Sequence, residues 1–220
     1  MSRALLVFTD GGAQRMTGRL EATLHQLVEA AGDCLYGIVL REQVANGAFA
    51  PAADREVASL AETLAPVCAR RGVNLLISAR ADIAAASGAA GVHLNSHSVS
   101  CDDARRVLGE HAVIGYSAHD VNELQRISRE GATYATLSPI YPPLSKTDSR
   151  TPLGLSYLQQ AVESVSIDIF ALGGIAIKNV ANVRRTGAAG IGVISSVVGQ
   201  PEPAAAAHAL SEAWQLATAT

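Results

Sequence analysis

A serine and a histidine stand two residues apart in the stretch IGYSAHD, which covers residues 114 to 120. Strands usually end in turn residues, but this apolar run ends in Ser117 and His119. Histidine takes up and releases protons near neutral pH, because its unperturbed pKa is about 6.5. We therefore predict general acid–base catalysis by His119, with Ser117 binding the substrate or the imidazole. The alternative is a solvated histidine beside a helix cap.

Eight short β-rich segments alternate with longer segments of helical periodicity along the chain. Unbroken alternation predicts parallel strands, and eight units in 220 residues predict a (β/α)8 TIM barrel, in one domain over residues 1–220. The alternative is an open doubly wound sheet, which usually carries a GxGxxG turn where this chain has TDGGAQRM. Two long helices are predicted over about 52–71 and about 202–217. The predicted strands cover residues 3–10, 34–42, 73–79, 90–94, 112–118, 133–140, 167–175 and 189–195.

Small residues follow the last two predicted strands, at the end of the barrel where such folds place their active groups. Gly173 and Gly174 follow the seventh strand, and Ile194 and Ser195 follow the eighth. Backbone N–H groups at two neighbouring helix starts can hold a phosphate, because the helix dipole favours an anion and glycine permits close approach. We predict a phosphate site there. The alternative is a tight turn at the glycines and a helix cap at Ser195.

Three basic residues lie near the same end of the barrel. Arg41 follows the second predicted strand, Arg80 follows the third, and Lys146 lies in the long loop SPIYPPLSKTDSRTPLG after the sixth. Arginine clamps carboxylates and phosphates, and long loops in compact domains are often lids or binding loops. We predict that all three bind an anionic substrate. The alternatives are rim salt bridges to Glu42 or Asp82 for the arginines and a plain surface position for the lysine.

The composition disfavours several classes of protein. A net charge of -3, a pI near 6.1 and 4% aromatic residues argue against nucleic-acid binding. No apolar run approaches the roughly 20 residues that cross a bilayer, and the first apolar run predicts a strand rather than a signal peptide, so we expect a cytoplasmic protein without a membrane partner. Cys34, Cys68 and Cys101 lack metal-ligand spacing, so we predict reduced structural thiols and no metal site.

Six segments carry a resemblance to a known family: GIVLREQ, GVHL, IGYSAHD, LSPIYPPLSK, ALGGI and GVISS. In this order they resemble the thiamine phosphate synthase/TenI superfamily, from the first strand to the last. The Ser-Pro-Ile-Tyr-Pro run with its following lysine is the most specific part. The resemblance implies a (β/α)8 barrel that handles a thiazole phosphate at its mouth, which agrees with the predicted phosphate site.

The synthase branch of this superfamily joins a pyrimidine diphosphate to the thiazole phosphate and uses magnesium. Its pattern implies a lysine two residues after the strand-2 arginine, an Asn-Asp pair after strand 3 and an acidic residue after strand 4. This chain has Gln43, Ser78-Ala79 and Ser98 in those places. Because magnesium prefers carboxylate oxygens, the pattern disfavours the synthase reaction here.

The site pattern is closer to the TenI-type thiazole tautomerase, through SARADIA after strand 3 and Ser-x-His after strand 5. This resemblance implies an isomerase that needs no cofactor and makes a 1,3-proton shift on a carboxythiazole phosphate. It implies that His119 acts as the base. It also implies that Gly174, Ile194 and Ser195 bind the phosphate, and that Arg41 or Arg80 binds the ring carboxylate. The loop SPIYPPLSK departs from it and looks more like the synthase loop, except for a proline in place of threonine.

Two alternatives to the tautomerase stay open at this point. One is a thiamine phosphate synthase with an altered metal site, which would depend on magnesium. The other is a non-catalytic thiazole-phosphate-binding or regulatory protein. In each case the expected partner is a small-molecule thiazole phosphate. A homodimer is the working expectation for the assembly, because such barrels often pair through helical faces.

Overall fold

Eight parallel strands close into a barrel in chain order, with β1 pairing both β2 and β8. The computed structural model describes residues 3–9, 12–42, 50–142 and 150–217. The predicted (β/α)8 barrel is therefore confirmed. The strands are β1 (Leu5–Phe8), β2 (Leu35–Leu40), β3 (Asn74–Ser78), β4 (Gly91–Leu94), β5 (Val113–Ala118), β6 (Tyr134–Leu137), β7 (Asp168–Leu172) and β8 (Gly190–Val193).

Helices connect successive strands around the outside of the barrel. They are α1 (Ala13–Met16), α2 (Leu20–Ala31), α3 (Asp54–Arg71), α4 (Ala81–Ser87), α5 (Cys101–Leu108), α6 (Val121–Arg129), α7 (Gly154–Glu163), α8 (Ile177–Arg184) and α9 (Pro203–Leu216). In the parts of the chain that the structure describes, every helix is too short or too polar to cross a membrane.

The core has an outer and an inner layer. Apolar side chains between the strands and the helices form the larger, outer layer. The inner layer fills the barrel itself and consists of Leu6, Phe8, Val39, Leu76, Tyr134 and Phe170. Gly115 makes room for one of these, because a Cβ there would lie 2.1 Å from the ring of Tyr134. Because side chains fill the interior, the carboxyl ends of the strands are where ligand-binding groups are expected.

The strands are shorter than the sequence predicts at several ends. The predicted strand over 133–140 is the clearest case, since β6 ends at Leu137 and the chain continues through Ser138 and Pro139. Proline lacks the backbone N–H that continues a ladder, which explains why apolar residues go on after the strand has stopped. These residues form part of the barrel mouth instead.

Candidate active site at the carboxyl end of the barrel

His119 is held where β5 passes into α6. Asp120 caps α6 by accepting a hydrogen bond from the Glu123 backbone N–H at 2.8 Å, and the Glu123 carboxylate accepts one from the His119 backbone N–H at 2.7 Å. These two hydrogen bonds, one to the helix cap and one to the residue before it, fix the backbone that carries the imidazole. The His119 side chain is half-buried. The position of the His119 side chain is therefore set by the start of the helix.

The imidazole of His119 contacts the end of the next strand. Its Nδ1 lies 3.0 Å from the carbonyl oxygen of Ser138. A carbonyl oxygen only accepts hydrogen bonds, so we assign the proton of the neutral ring to Nδ1. Nε2 is then left with a lone pair, as a general base requires.

Arg150 covers the same imidazole, and sequence reasoning missed it. Its Nη1 atom lies 2.8 Å from His119 Nε2 and 2.6 Å from Nδ1. A guanidinium has only hydrogen-bond donors, and Nδ1 already carries a proton. Arg150 therefore donates to the lone pair of His119 Nε2. The chain returns over the mouth at this point because Leu153 and Gly154 donate backbone hydrogen bonds to Pro139 and Ile140 at 2.8 and 3.1 Å. Arg150 lies in the segment SPIYPPLSKTDSRTPLG, from which the sequence analysis chose Lys146, and nothing in the sequence favoured the arginine over the lysine.

Ser117 is supported by a buried chain of hydrogen bonds across three adjacent strands. His93 Nε2 lies 2.9 Å from Ser117 Oγ, and His93 Nδ1 lies 2.8 Å from the hydroxyl of Tyr134. Burial lowers the pKa of His93 to about 3, with a further contribution from the charge of Arg41, so this imidazole is neutral at physiological pH. Burial also raises the pKa of Tyr134 well above its usual value, so its hydroxyl keeps its proton.

The direction of this chain follows from those protonation states. Among the described residues, the Tyr134 hydroxyl has His93 as its hydrogen-bond partner, so it donates to Nδ1. His93 then carries its own proton on Nε2 and donates it to Ser117 Oγ. The Ser117 hydroxyl proton is thereby left to point at a ligand in the mouth.

Arg41 lies on the other side of the same network. Its backbone N–H donates to Thr9 Oγ1 at 2.8 Å, which ties the end of β2 to the end of β1. Its positive charge contributes to the lowered pKa of His93, and its Nε lies 3.5 Å from the carbonyl oxygen of Thr9. The structure thus places Arg41 directly after β2 and Ser117 within β5, and it shows Ser117 in contact with His93 rather than with His119.

Glycine is required at positions 173 and 174, both by the backbone conformation and by the close approach of neighbouring atoms. Their φ angles of 96° and 64° lie in the left-handed region, which side chains disfavour. A Cβ on Gly173 would lie 2.8 Å from Pro139, and one on Gly174 would lie 2.5 Å from the carbonyl oxygen of Pro142. The loop after β7 is therefore packed closely against the chain that leaves β6.

Of the two helix starts predicted at the phosphate site, the structure contains the one after β7 but not the one after β8. After β7, helix α8 starts at Ile177 as expected, but Ser195 does not start a helix. Residues 195–199 form a turn, and α9 begins only at Pro203. The error arose because a small polar residue after a strand suits a turn as well as a helix cap.

The two loops nevertheless lie next to each other. Strands β7 and β8 are paired in parallel, and Ser196 Oγ donates a hydrogen bond to the carbonyl oxygen of Ile175 at 3.0 Å. Ser195 is exposed and Ile194 is half-buried beside this bridge. The four residues predicted to bind phosphate are therefore on two adjoining loops.

Arg80 is engaged away from this cluster. It donates to both carboxylate oxygens of Asp82, at 2.9 and 2.6 Å, and its Nη1 lies 2.6 Å from Asp54 Oδ1. The hydrogen bond from Arg80 lowers the pKa of Asp82 to about 2. The structure therefore favours the rim salt bridge over the predicted substrate contact, and an Asp on the neighbouring α3 adds to it. Lys146 and Gln43 lie outside the described residues.

The described residues do not fit the magnesium site that the resemblance implies for a synthase. Ala79 has no ligand atom in its side chain, and its φ of 61° is the left-handed conformation that Asn, Asp and Gly tolerate best. Ser98 Oγ accepts a hydrogen bond from the Asn95 N–H at 3.1 Å and donates one to the Asn95 side chain at 3.2 Å. Neither position offers the carboxylate that magnesium prefers.

The comparison with protein families decides the identity at family level. A family model described as thiamine monophosphate synthase matches residues 5–197. The chain belongs to this family. It is accordingly an enzyme of thiamine biosynthesis, and the family part of the sequence resemblance is confirmed.

Individual members of the family are similar over most of the chain. The thiamine-phosphate synthase of Methanoculleus marisnigri is 35% identical over 212 residues, which cover 96% of this chain and 95% of that protein. The thiamine-phosphate synthase of Chloroflexus aurantiacus is 36% identical over 206 residues, which cover 94% of this chain and 90% of that protein. The solved structure of a thiamine phosphate pyrophosphorylase from Pyrococcus furiosus superposes with a TM-score of 0.81 at 27% identity, covering 98% of this chain and 97% of that one. These relatives carry the name of the synthase branch rather than that of TenI.

Proposed function

We propose that the chain is a thiazole tautomerase, which converts a non-aromatic carboxythiazole phosphate into its aromatic isomer with His119 as the proton-transfer group. The observation that carries the proposal is the 3.0 Å contact between His119 Nδ1 and the Ser138 carbonyl, which orients Nε2 as the base. The Asp120 cap and the hydrogen bond from the His119 backbone N–H to the Glu123 carboxylate hold its backbone in place.

The reaction needs one group that both removes and returns a proton. His119 Nε2 takes the proton from C2 of the ring, between the sulfur and the nitrogen, so that a C–H bond breaks and its electrons enter the ring. The resulting imidazolium returns a proton to the exocyclic carbon, which becomes the first carbon of the saturated phosphoethyl chain, and a new C–H bond forms. No atom is gained or lost. Aromatisation drives the shift, so the protein mainly has to hold both carbons near one imidazole.

The remaining mouth residues bind the substrate. The loops at residues 173–175 and 194–196 hold its phosphate with backbone N–H groups. Ser117 donates its hydroxyl proton to the ring or its carboxylate, because His93 occupies the hydroxyl oxygen. Arg41 and Arg150 provide positive charge for the carboxylate, and Arg150 leaves Nε2 when the substrate enters. Lys146 remains a predicted contact, and Arg80 is not among the proposed ones.

A thiamine-phosphate synthase is the second candidate, and the comparisons favour it over the tautomerase. The curated relatives bear that name at 35% and 36% identity over more than nine tenths of this chain. Against it stand Ala79 and Ser98, which lack carboxylates, and the sequence itself, which has Gln43 in place of the implied lysine. We rank the residue chemistry above the names, because the proposed activity depends on the side chains that are present.

One pair of assays separates the two reactions. The pure protein is first incubated with the non-aromatic carboxythiazole phosphate and EDTA, and formation of the aromatic ring is followed by its ultraviolet absorption. It is then given the pyrimidine diphosphate and thiazole phosphate with magnesium, and released pyrophosphate is measured. We expect the aromatic product in EDTA and no pyrophosphate. Magnesium-dependent pyrophosphate release without tautomerisation would establish the synthase, and neither product, with thiazole phosphate still bound, would establish a non-catalytic binder.

A further inference from the structure

A cysteine, a histidine and an aspartate meet at the end of the barrel opposite the proposed active site. Asp33 and Cys34 precede β2, and His208 lies within α9. The ligand atoms of the three side chains all lie within 4.8 Å of one another. The proton transfer proposed above uses none of them.

The distances suit a tetrahedral metal centre. Cys34 Sγ lies 3.4 Å from His208 Nδ1 and 3.7 Å from Asp33 Oδ1. Zinc–sulfur bonds of about 2.3 Å and zinc–nitrogen or zinc–oxygen bonds of about 2.0–2.1 Å place the ligand atoms of a tetrahedron about 3.5 Å apart. These two separations bracket that value, and all three ligand atoms lie within 4.8 Å of one another.

The histidine is already oriented as a ligand. Its Nε2 lies 3.0 Å from the carbonyl oxygen of Ala30, at the end of α2. Because a carbonyl only accepts, Nε2 carries the proton and Nδ1 turns its lone pair towards Cys34. A backbone carbonyl that holds the second ring nitrogen of a metal-binding histidine is the usual arrangement around zinc.

The cysteine is fixed and the site is open to solvent. The Cys34 backbone N–H donates to Ala31 at 3.0 Å, and its carbonyl accepts from Leu5 at 3.2 Å. The thiol itself is buried, whereas Asp33 and His208 are exposed, so an ion can enter between them and keep a water as its fourth ligand.

We propose that Asp33, Cys34 and His208 bind one zinc ion, which fastens the last helix to the start of β2. A thiolate with an imidazole and a carboxylate is a ligand set that zinc accepts. The thiolate forms when zinc displaces the thiol proton, which is released to solvent. Sequence spacing could not reveal the site, because Cys34 and His208 are 174 residues apart.

A cobalt titration tests the proposal on the full-length protein. Chelator-treated protein is titrated with Co²⁺, whose thiolate charge-transfer and visible bands report a tetrahedral sulfur-containing site, and Zn²⁺ is then added as competitor. We expect one equivalent of Co²⁺ to bind and Zn²⁺ to displace it. Zinc alone should also raise the Tm of the wild type.

Substitutions assign the ligands. Cys34→Ser, His208→Ala and Asp33→Asn should each weaken Co²⁺ binding by at least about tenfold. Cys68→Ala and Cys101→Ala remove the other described thiols, both buried, and should leave it unchanged. Circular dichroism checks that each variant folds, and Asp33→Asn is safe in this respect because Asp33 is exposed. The proposal is overturned if the wild type shows no bands with micromolar Co²⁺, or if they persist in Cys34→Ser. The tautomerase assay in EDTA should be unaffected, so the two proposals fail separately.

Discussion

At the scale of single residues, the most unusual group is the buried imidazole of His93. It connects Tyr134 to Ser117 inside the barrel, and burial lowers its pKa to about 3. A charged His93 would lie in an environment that solvates charge poorly, with the positive charge of Arg41 opposing it. Its role in the proposed site is to position the Ser117 hydroxyl, and it does not exchange protons with the substrate.

This imidazole makes the stability of the fold depend on pH in a defined range. His93 has a pKa near its ordinary 6.5 when unfolded and about 3 when folded, so below about pH 6.5 the unfolded chain binds the extra proton. Stability should therefore fall as the pH is lowered from about 6.5 towards 3. Between about pH 7 and pH 4.5 the free energy of unfolding should drop by about 2 kcal/mol more in the wild type than in His93→Asn, measured by urea denaturation. Parallel pH profiles for the two proteins would contradict this.

Ala79 is the one described residue other than glycine with a positive φ angle, 61°. The left-handed conformation costs an alanine roughly 1–2 kcal/mol, and glycine avoids that cost at the expense of greater freedom when unfolded. Ala79→Gly should therefore raise the free energy of unfolding by about 0.5–1 kcal/mol. The matched control is Ala85→Gly, an exposed position inside α4, which should lower it by about 1 kcal/mol. Chemical denaturation decides the sign, and destabilisation by both changes would rule out strain at Ala79.

At the scale of elements, the mouth is formed by strand-to-helix loops that brace one another. The segment after β6 donates backbone hydrogen bonds to the end of β7, from Ile140 to Leu172 at 2.9 Å and from Tyr141 to Gly173 at 3.1 Å. The loop after β7 is in turn bound to that after β8 through Ser196. The proposed phosphate site and the carbonyl that orients His119 thus belong to one packed unit.

A side chain at Gly174 should disturb this unit. Its φ of 64° disfavours alanine, and a Cβ would also lie 2.5 Å from the carbonyl oxygen of Pro142 and 2.7 Å from Tyr141. Gly174→Ala should lower the free energy of unfolding by at least about 2 kcal/mol, and it should weaken substrate binding. Gly88→Ala is the control, because its φ of 70° carries the same backbone cost with nothing within 4 Å of the new Cβ. That control should lose only about 1 kcal/mol; an equal loss in both variants would show that the close packing is unimportant.

At the scale of the whole molecule, the regular part of the structure was predictable and the contacts between distant segments were not. Eight strand–helix units predicted the barrel because hydrophobic periodicity is local, and the helices expected over about 52–71 and 202–217 are found as Asp54–Arg71 and Pro203–Leu216. The strand ends then located His119, Ser117 and Arg41, since parallel strands bring their carboxyl ends together.

The remaining features depend on which side chains meet after folding. Arg80 finds Asp54 as well as the neighbouring Asp82, and Arg150 reaches His119 from an irregular segment. His208 meets Cys34 from the other end of the chain. The Arg80–Asp82 pair was named as an alternative in the sequence analysis, but none of the other pairs has a spacing or a motif that marks it in the sequence. The prediction of a helix start at Ser195 was wrong for a different reason, because local residue preference does not distinguish a turn from a helix start there.

The most direct test of the account is the turnover of the non-aromatic carboxythiazole phosphate by His119→Ala in the presence of EDTA. General acid–base catalysis typically contributes about 10²–10⁴-fold, so we expect kcat to fall by that factor, or about 3–5 kcal/mol of barrier, with substrate affinity nearly unchanged. His111→Ala, which removes an exposed histidine outside the mouth, should retain full activity. Equal turnover in the wild type and His119→Ala, or wild-type activity that disappears with EDTA, would contradict proton transfer by this imidazole.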